Sequence, residues 1–239
     1  MQKIKSFLSL LLILSLFGGA ACVKKDDLMP LAQMLMVPLS PDAVPTDFEI
    51  NNQLFATTVS YSTTVGTTTY GLPYYTVQPG SVAVKYNITG TKNAFASATV
   101  NVENETAYST FLIDSASKTK VAVVKDDVSA PTEGKVKLRF FHFSPNAPAL
   151  DVTVGASGAK LFSNRSFNDQ GSEDLQKFIE VDPGIYQFAF KTAGTNTTLY
   201  TTTSLNLQPN RVYTLAARGF VGGTGNRALG GWFYPNRPQ

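Results

Sequence analysis

Ser144-Pro145-Asn146-Ala147-Pro148-Ala149-Leu150-Asp151-Val152 has a counterpart 104 residues earlier, Ser40-Pro41-Asp42-Ala43-Val44-Pro45-Thr46-Asp47-Phe48. Gln78-Pro79-Gly80 returns as Asp182-Pro183-Gly184 at the same interval. Glu105-Thr106-Ala107-Tyr108 is answered by Asn210-Arg211-Val212-Tyr213 with a shift of one more. Three landmarks in order and nearly in register define a duplication. A period this long belongs to complete tandem domains, because stacked solenoid units run only about 20–50 residues.

Each copy reads as strands. Ser81 to Ile88 alternates apolar with polar or small side chains, and Ile185 to Phe190 follows its own Pro-Gly turn. Further strands are predicted over Ala96 to Val102, Ala107 to Ile113, Lys120 to Val124, Val136 to Phe143, Leu199 to Leu207 and Val212 to Phe220. Thr, Val, Tyr and Phe dominate them, which suits half-buried pleated surfaces. The expected fold is all-β: two tandem β-sandwich domains of immunoglobulin-like or transthyretin-like layout after a cleaved signal peptide. The expected boundaries are 1–21 for the leader, 22–33 for a tether, 34–127 and 136–239 for the domains, and 128–135 for the linker.

The leader has Lys3 and Lys5, an apolar block from Phe7 to Phe17, and the small residues Gly18 to Ala21 before Cys22. That order marks a secretory signal peptide, and 11 block residues are too few for a membrane span of about 20. Cys22 is the sole cysteine and stands where a bacterial lipobox places its acylated thiol, although Gly19 replaces the usual aliphatic residue. Cleavage before Cys22 followed by acylation, palmitate being a typical chain, gives a stable anchor, since two chains hold where one is marginal. Lys24-Lys25-Asp26-Asp27 resembles the export tag of surface lipoproteins in one large group of Gram-negative bacteria. The expected location is therefore the outer membrane, lipid-anchored and facing outward, with retention towards the periplasm as the alternative.

Formal charge is +3, but losing Lys3 and Lys5 leaves 18 basic against 17 acidic residues. A near-neutral chain gives no general attraction to nucleic acid.

The run Val136-Lys137-Leu138-Arg139-Phe140-Phe141-His142-Phe143, leading into Ser144-Pro145-x-Ala147-Pro148-x-x-Asp151-Val152, resembles the opening motif of the bacterial domain of unknown function 4397. The resemblance covers Val136 to Trp232. The first unit reads as a degraded copy, with Pro38 aligned to His142 and Val44-Pro45 replacing Pro148-Ala149. The resemblance implies an exported, often lipid-anchored β domain and no known reaction. Physically, Pro145 and Pro148 should make a stiff arch leaving the sheet. Asp151 is expected to accept amide hydrogen bonds inside that arch. His142 is expected to be a partly buried imidazole bonded to the arch or to Asp151.

Catalytic signatures are missing: neither Gly-x-Ser-x-Gly nor His-Glu-x-x-His occurs, and one histidine limits nucleophile–base pairs. Gly222-Gly223-Thr224-Gly225 lacks the Lys of a phosphate loop and reads as a hairpin tip. No metal site or cofactor is expected. Candidate ligand-binding aromatics are Tyr74, Tyr75, Trp232 and Tyr234, which either offer flat faces or place alternate rings in the core.

The leading expectation is a non-enzymatic, lipid-anchored envelope protein serving as adhesin, glycan-binding accessory or structural component. Its partners would be the membrane, through acyl chains on Cys22, and a glycan or another envelope protein. The alternatives are a fimbrial subunit precursor, opposed by the lack of any Arg before Arg139, and an envelope hydrolase with an unrecognised carboxylate pair.

Overall fold

A computed structural model describes residues 31–61 and 73–236. Cys22, Lys24, Lys25, Asp26 and Asp27 lie outside the described residues. The first unit contains β1 (Ala32–Pro38), β2 (Thr46–Ile50), β3 (Gln53–Val59), β4 (Tyr74–Val77), β5 (Gly80–Ile88), β6 (Ala94–Val102), β7 (Ala107–Ile113) and β8 (Lys120–Asp126). The second contains β9 (Val136–His142), β10 (Leu150–Val154), β11 (Lys160–Arg165), β12 (Ile179–Val181), β13 (Gly184–Tyr186), β14 (Phe188–Thr192), β15 (Thr198–Thr201), β16 (Leu205–Leu207), β17 (Arg211–Arg218) and β18 (Gly230–Pro235).

The two units share one topology. Sheets β4-β1-β7-β8 and β3-β2-β5-β6 face each other in the first; β12-β9-β17-β18 and β11-β10-β14-β15 do so in the second. In both, the opening strand runs parallel to a late one, β1 with β7 and β9 with β17. The duplication reaches single atoms. Thr91 Oγ donates to Ile88 O at 2.9 Å, and Thr195 Oγ donates to Thr192 O at the same distance. The Pro-Gly landmarks start strands because Gly80 and Gly184 adopt φ of 115° and 154°, a region open to glycine.

Two predicted strands are broken. Ile185 to Phe190 divides at Gln187 into β13 and β14, and Leu199 to Leu207 divides into β15 and β16. At the break the Phe188 amide donates to Thr202 Oγ at 2.9 Å, so a side chain replaces a ladder acceptor. β13 and β16 then pair as a separate ribbon.

Alternation within the inner strands builds three apolar layers. Met34 and Met36 of β1 meet Phe48, Val84 and Tyr86 in the first unit's core. Leu138 and Phe140 of β9 meet Val152, Phe190 and Leu215 in the second's. The opposite faces of the same strands pack on each other: Leu35, Val37, Phe111 and Val124 against Phe141, Phe143, Ala216 and Trp232. The molecule is thus four sheets deep. Its inner strands are buried on both faces, whereas half-buried surfaces were expected, and continuous burial is what a covered sheet requires.

Candidate functional site

The layer between the units is mostly apolar, but a polar ring is sealed inside it. Asp126, the last residue of β8, accepts hydrogen bonds from Tyr74 Oη at 2.8 Å and Ser109 Oγ at 2.7 Å. Its other oxygen takes a charged bond from Arg139 Nη2 of β9. Arg139 Nε donates to Thr214 Oγ at 2.9 Å, and Thr214 donates to Asn236 Oδ1 at 2.6 Å. Asn236 Nδ2 donates to Tyr74 Oη at 2.8 Å, which closes the circuit. Burial, with the Asp126 charge adding to it, pushes the Tyr74 hydroxyl well above its ordinary pKa. Arg139 lies between the rings of Phe141 and Phe178, 4.7 and 4.5 Å from their centroids, a stacking suited to a planar guanidinium.

A cleft of about 750 Å³ opens beside this ring. One wall is the start of β7 and the segment from Lys125 to Ser129; the other is the short turn at Glu173–Leu175 and the residues to Phe178. Asp126 and Phe178 belong both to the cleft lining and to the surroundings of Arg139. Asp127 is held below the usual carboxylate range: burial raises it, but bonds from Lys137 at 2.8 Å and from Ser129 outweigh that.

The predicted binding aromatics go elsewhere. Trp232 is 1% exposed and Tyr74 is 6% exposed, so neither offers a flat face to solvent. Even-numbered positions of β18 face the neighbouring unit, where Trp232 meets Phe111 edge-on at 5.8 Å and stacks on half-buried Tyr234 at 5.4 Å. Tyr75 packs edge-on to Phe55 at 5.1 Å, over the first unit's core. The structure brings Tyr74, Trp232 and Tyr234 to one inner layer and leaves Tyr75 apart.

His142 is fully buried. Its Nε2 bonds Pro148 O at 3.0 Å, and Nδ1 accepts the Ser144 amide at 3.3 Å, which sets the tautomer as Nε2–H. Burial lowers its pKa; the Pro148 carbonyl acts in the opposite sense. Ser144 Oγ donates to Gly219 O at 2.6 Å, pinning the Pro145–Pro148 arch to the β17–β18 connection. Asp151 does not serve the arch as expected. It accepts amides from Asn164 at 2.8 Å and Gly194 at 3.0 Å, tying β10 to the neighbouring segments. Asp47 accepts Thr58 and Gly90 amides in the same way, both at 2.8 Å. Side chains pointing from a central strand reach across to neighbours, not along their own loop.

Arg139, Asp126, Thr214 and Asn236 escaped the sequence reading. The available signal was a lone Arg inside the apolar run Leu138 to Phe141. Among the described residues no group of three His, Cys, Asp or Glu side chains is placed to hold a metal, and no helix is long and apolar enough to cross a membrane.

Duplicated sandwiches locked face to face place the chain among tandem β-sandwich proteins. It belongs to the domain of unknown function (DUF4397) family, whose model matches residues 32–153. The match takes in the whole first unit, the copy whose motif is the more altered, and ends in β10 of the second. No curated protein matches the chain. Among solved structures it is similar to one described as alpha-glucan binding by a streptococcal virulence factor. That pair has 12% identity, coverage of 73% of this chain and 88% of the other, and a TM-score of 0.24. A family CBM26 module of Eubacterium rectale Amy13K, in complex with maltoheptaose, shows 11% identity, coverage of 86% and 98%, and a TM-score of 0.25. A leucine-rich repeat protein from Bacteroides thetaiotaomicron shows 11%, 77% and 25%, with a TM-score of 0.20. Scores this low establish neither a shared fold nor a shared ligand.

Proposed function

We propose that this chain is a non-enzymatic, lipid-anchored protein of the outer membrane, exposed at the cell surface, that binds a glycan chain in the cleft between its units. The cleft itself carries the reading: about 750 Å³, walled by both units and backed by a closed polar ring. Ligand sites favour such junctions and volumes of about 300–1,000 Å³. A sugar needs an apolar face for its C–H groups and both donors and acceptors for its hydroxyls. Half-buried Phe178 supplies the first; Gln176, Lys125, Asp127 and Ser129 supply the second. Chemistry on the ligand finds less support. A glycosidase acid needs a raised carboxyl pKa, and the displaced carboxyls among the described residues are all lowered. Anchoring rests on Cys22 at the leader's end, and outward display on Lys24 to Asp27.

The mature protein is titrated against an oligosaccharide array. Binding to at least one chain, weakened about tenfold or more in Phe178→Ala, is expected for a lost aromatic contact at the centre of a site. Failure to bind any member, or a variant that binds as wild type, overturns the cleft reading. Cys22→Ala should leave the membrane fraction, and protease added to intact cells should degrade the wild type. Retention of the variant, or protection of the wild type, overturns anchoring or display respectively.

A further inference from the structure

The duplication also repeats a small pocket. In the first unit it is about 250 Å³ beside Asp47, with Leu54, Asn87, Gly90, Thr91 and Lys92 around it. In the second it is about 210 Å³ beside Asp151, and Gly194 and Thr195 stand where Gly90 and Thr91 do. The backbone frame is common to both: one carboxylate accepts two amides, and one Thr hydroxyl closes the turn.

The linings differ at the positions that matter for a ligand. Asn87 is 1% exposed. Its Nδ2 donates to Glu49 Oε2 at 3.2 Å, which fixes the amide's orientation, and its Oδ1 has no partner. A buried acceptor left without a donor is costly, so this one is suited to a group that enters the pocket. In the second unit the equivalent residue is Lys191, whose Nζ is already bonded to Ala156 O at 2.5 Å. Lys160 likewise closes on Asp151 at 2.5 Å.

Charge around the first pocket is balanced. Buried Asp47 and Glu49 face Lys85 and Lys92, each of which bonds Glu49 at 2.9 Å. A cation meets the two ammonium groups, and an anion meets the two carboxylates. A neutral ligand with several hydroxyls meets neither repulsion: it donates to Asn87 Oδ1, accepts from the largely exposed Lys92, and rests an apolar edge on half-exposed Leu54. The volume lies below the range of multi-ring ligands, which limits the guest to one ring. We infer that the first unit carries a binding pocket for a single neutral sugar ring, built on Asn87, Lys92 and Leu54, and that the second unit's copy, of similar volume, has Lys191 in place of the buried acceptor and does not bind the sugar. This site is separate from the cleft.

Glucose, galactose, mannose and N-acetylglucosamine serve as probes of the mature protein, read by amide chemical shifts and calorimetry. At least one should bind at one equivalent per chain and displace the Gly90 and Thr91 signals while leaving Gly194 and Thr195 in place. Asn87→Leu should weaken it about tenfold or more, the effect of one lost polar partner of this kind. Because Asn87 also supports Glu49, the exposed substitutions Leu54→Ala and Lys92→Ala provide a second measure and should weaken binding, the first without lowering Tm. Lys191→Ala should give the wild-type shifts at Gly90 and Thr91, which separates this pocket from its twin. No shift at Gly90 and Thr91 with any of the four sugars overturns the inference. So does affinity that survives both exposed substitutions.

Discussion

Asp126 and Arg139 form an ion pair across the two units with both side chains at 0% exposure. Burial on this scale removes water from both charges; Tyr74, Ser109 and Thr214 bond Asp126 and Arg139 Nε, while Arg139 Nη1 is left without a hydrogen-bond partner. The ring specifies how the units dock, since sliding one sheet over the other strands several buried polar groups at once.

Removing one partner leaves the other charged and unpaired. Asp126→Ala or Arg139→Ala should cost about 3–5 kcal/mol in urea unfolding. The double replacement Asp126→Leu with Arg139→Met should recover much of that loss, because the desolvation cost disappears with the charges. Equal losses in the double and single variants would contradict this account.

Trp232→Ala should act on stability before it acts on any ligand. The indole lies in the inter-unit layer against Phe111, and truncating a buried aromatic costs about 3–5 kcal/mol. A Tm unchanged from wild type would show that the ring is not buried in solution.

Glu49 is held down to about 2 by hydrogen bonds from Lys85 and then Lys92, against the effect of burial. A lowered acid pKa means that the unfolded chain binds the proton first. The stabilising effect of Glu49 is therefore complete above about pH 4.5 and is lost as pH falls towards about 2. Glu49→Gln should be less stable than wild type at pH 6, and the two unfolding curves should converge near pH 2. A pH-independent gap would remove these bonds from the ledger of acid stability.

His142 works in the same sense for a different reason: burial disfavours the imidazolium. Its unfolded pKa is about 6.5, so the neutral ring's contribution is complete above that value and declines as pH falls through the window below it. The single histidine gives one clean NMR titration. Its midpoint should fall below 6.5, and a midpoint at or above that value would contradict the burial of the ring.

The duplication, the all-β class and most strands were legible in the sequence, because β-branched and aromatic runs between Pro-Gly turns are local signals. Ala107–Ile113 has the bounds expected from the sequence, and His142, expected to be a partly buried imidazole, is buried and bonded to Pro148 O of the arch. β1 begins at Ala32, inside the stretch assigned to a tether, since Gln33 and Pro38 dilute its apolar pattern.

What the chain alone determined is that it folds twice, through periodicity and turn chemistry carried within each hundred-residue unit. Only the tertiary structure decided that the units bury a common layer, that Trp232 and Tyr74 vanish into it, and that Asp126 finds Arg139. Alternation along a strand says that two faces differ; it does not say what covers the second face. In β1, β7, β9 and β17 the cover is the other copy, and that pairing is fixed by contacts between residues distant in sequence.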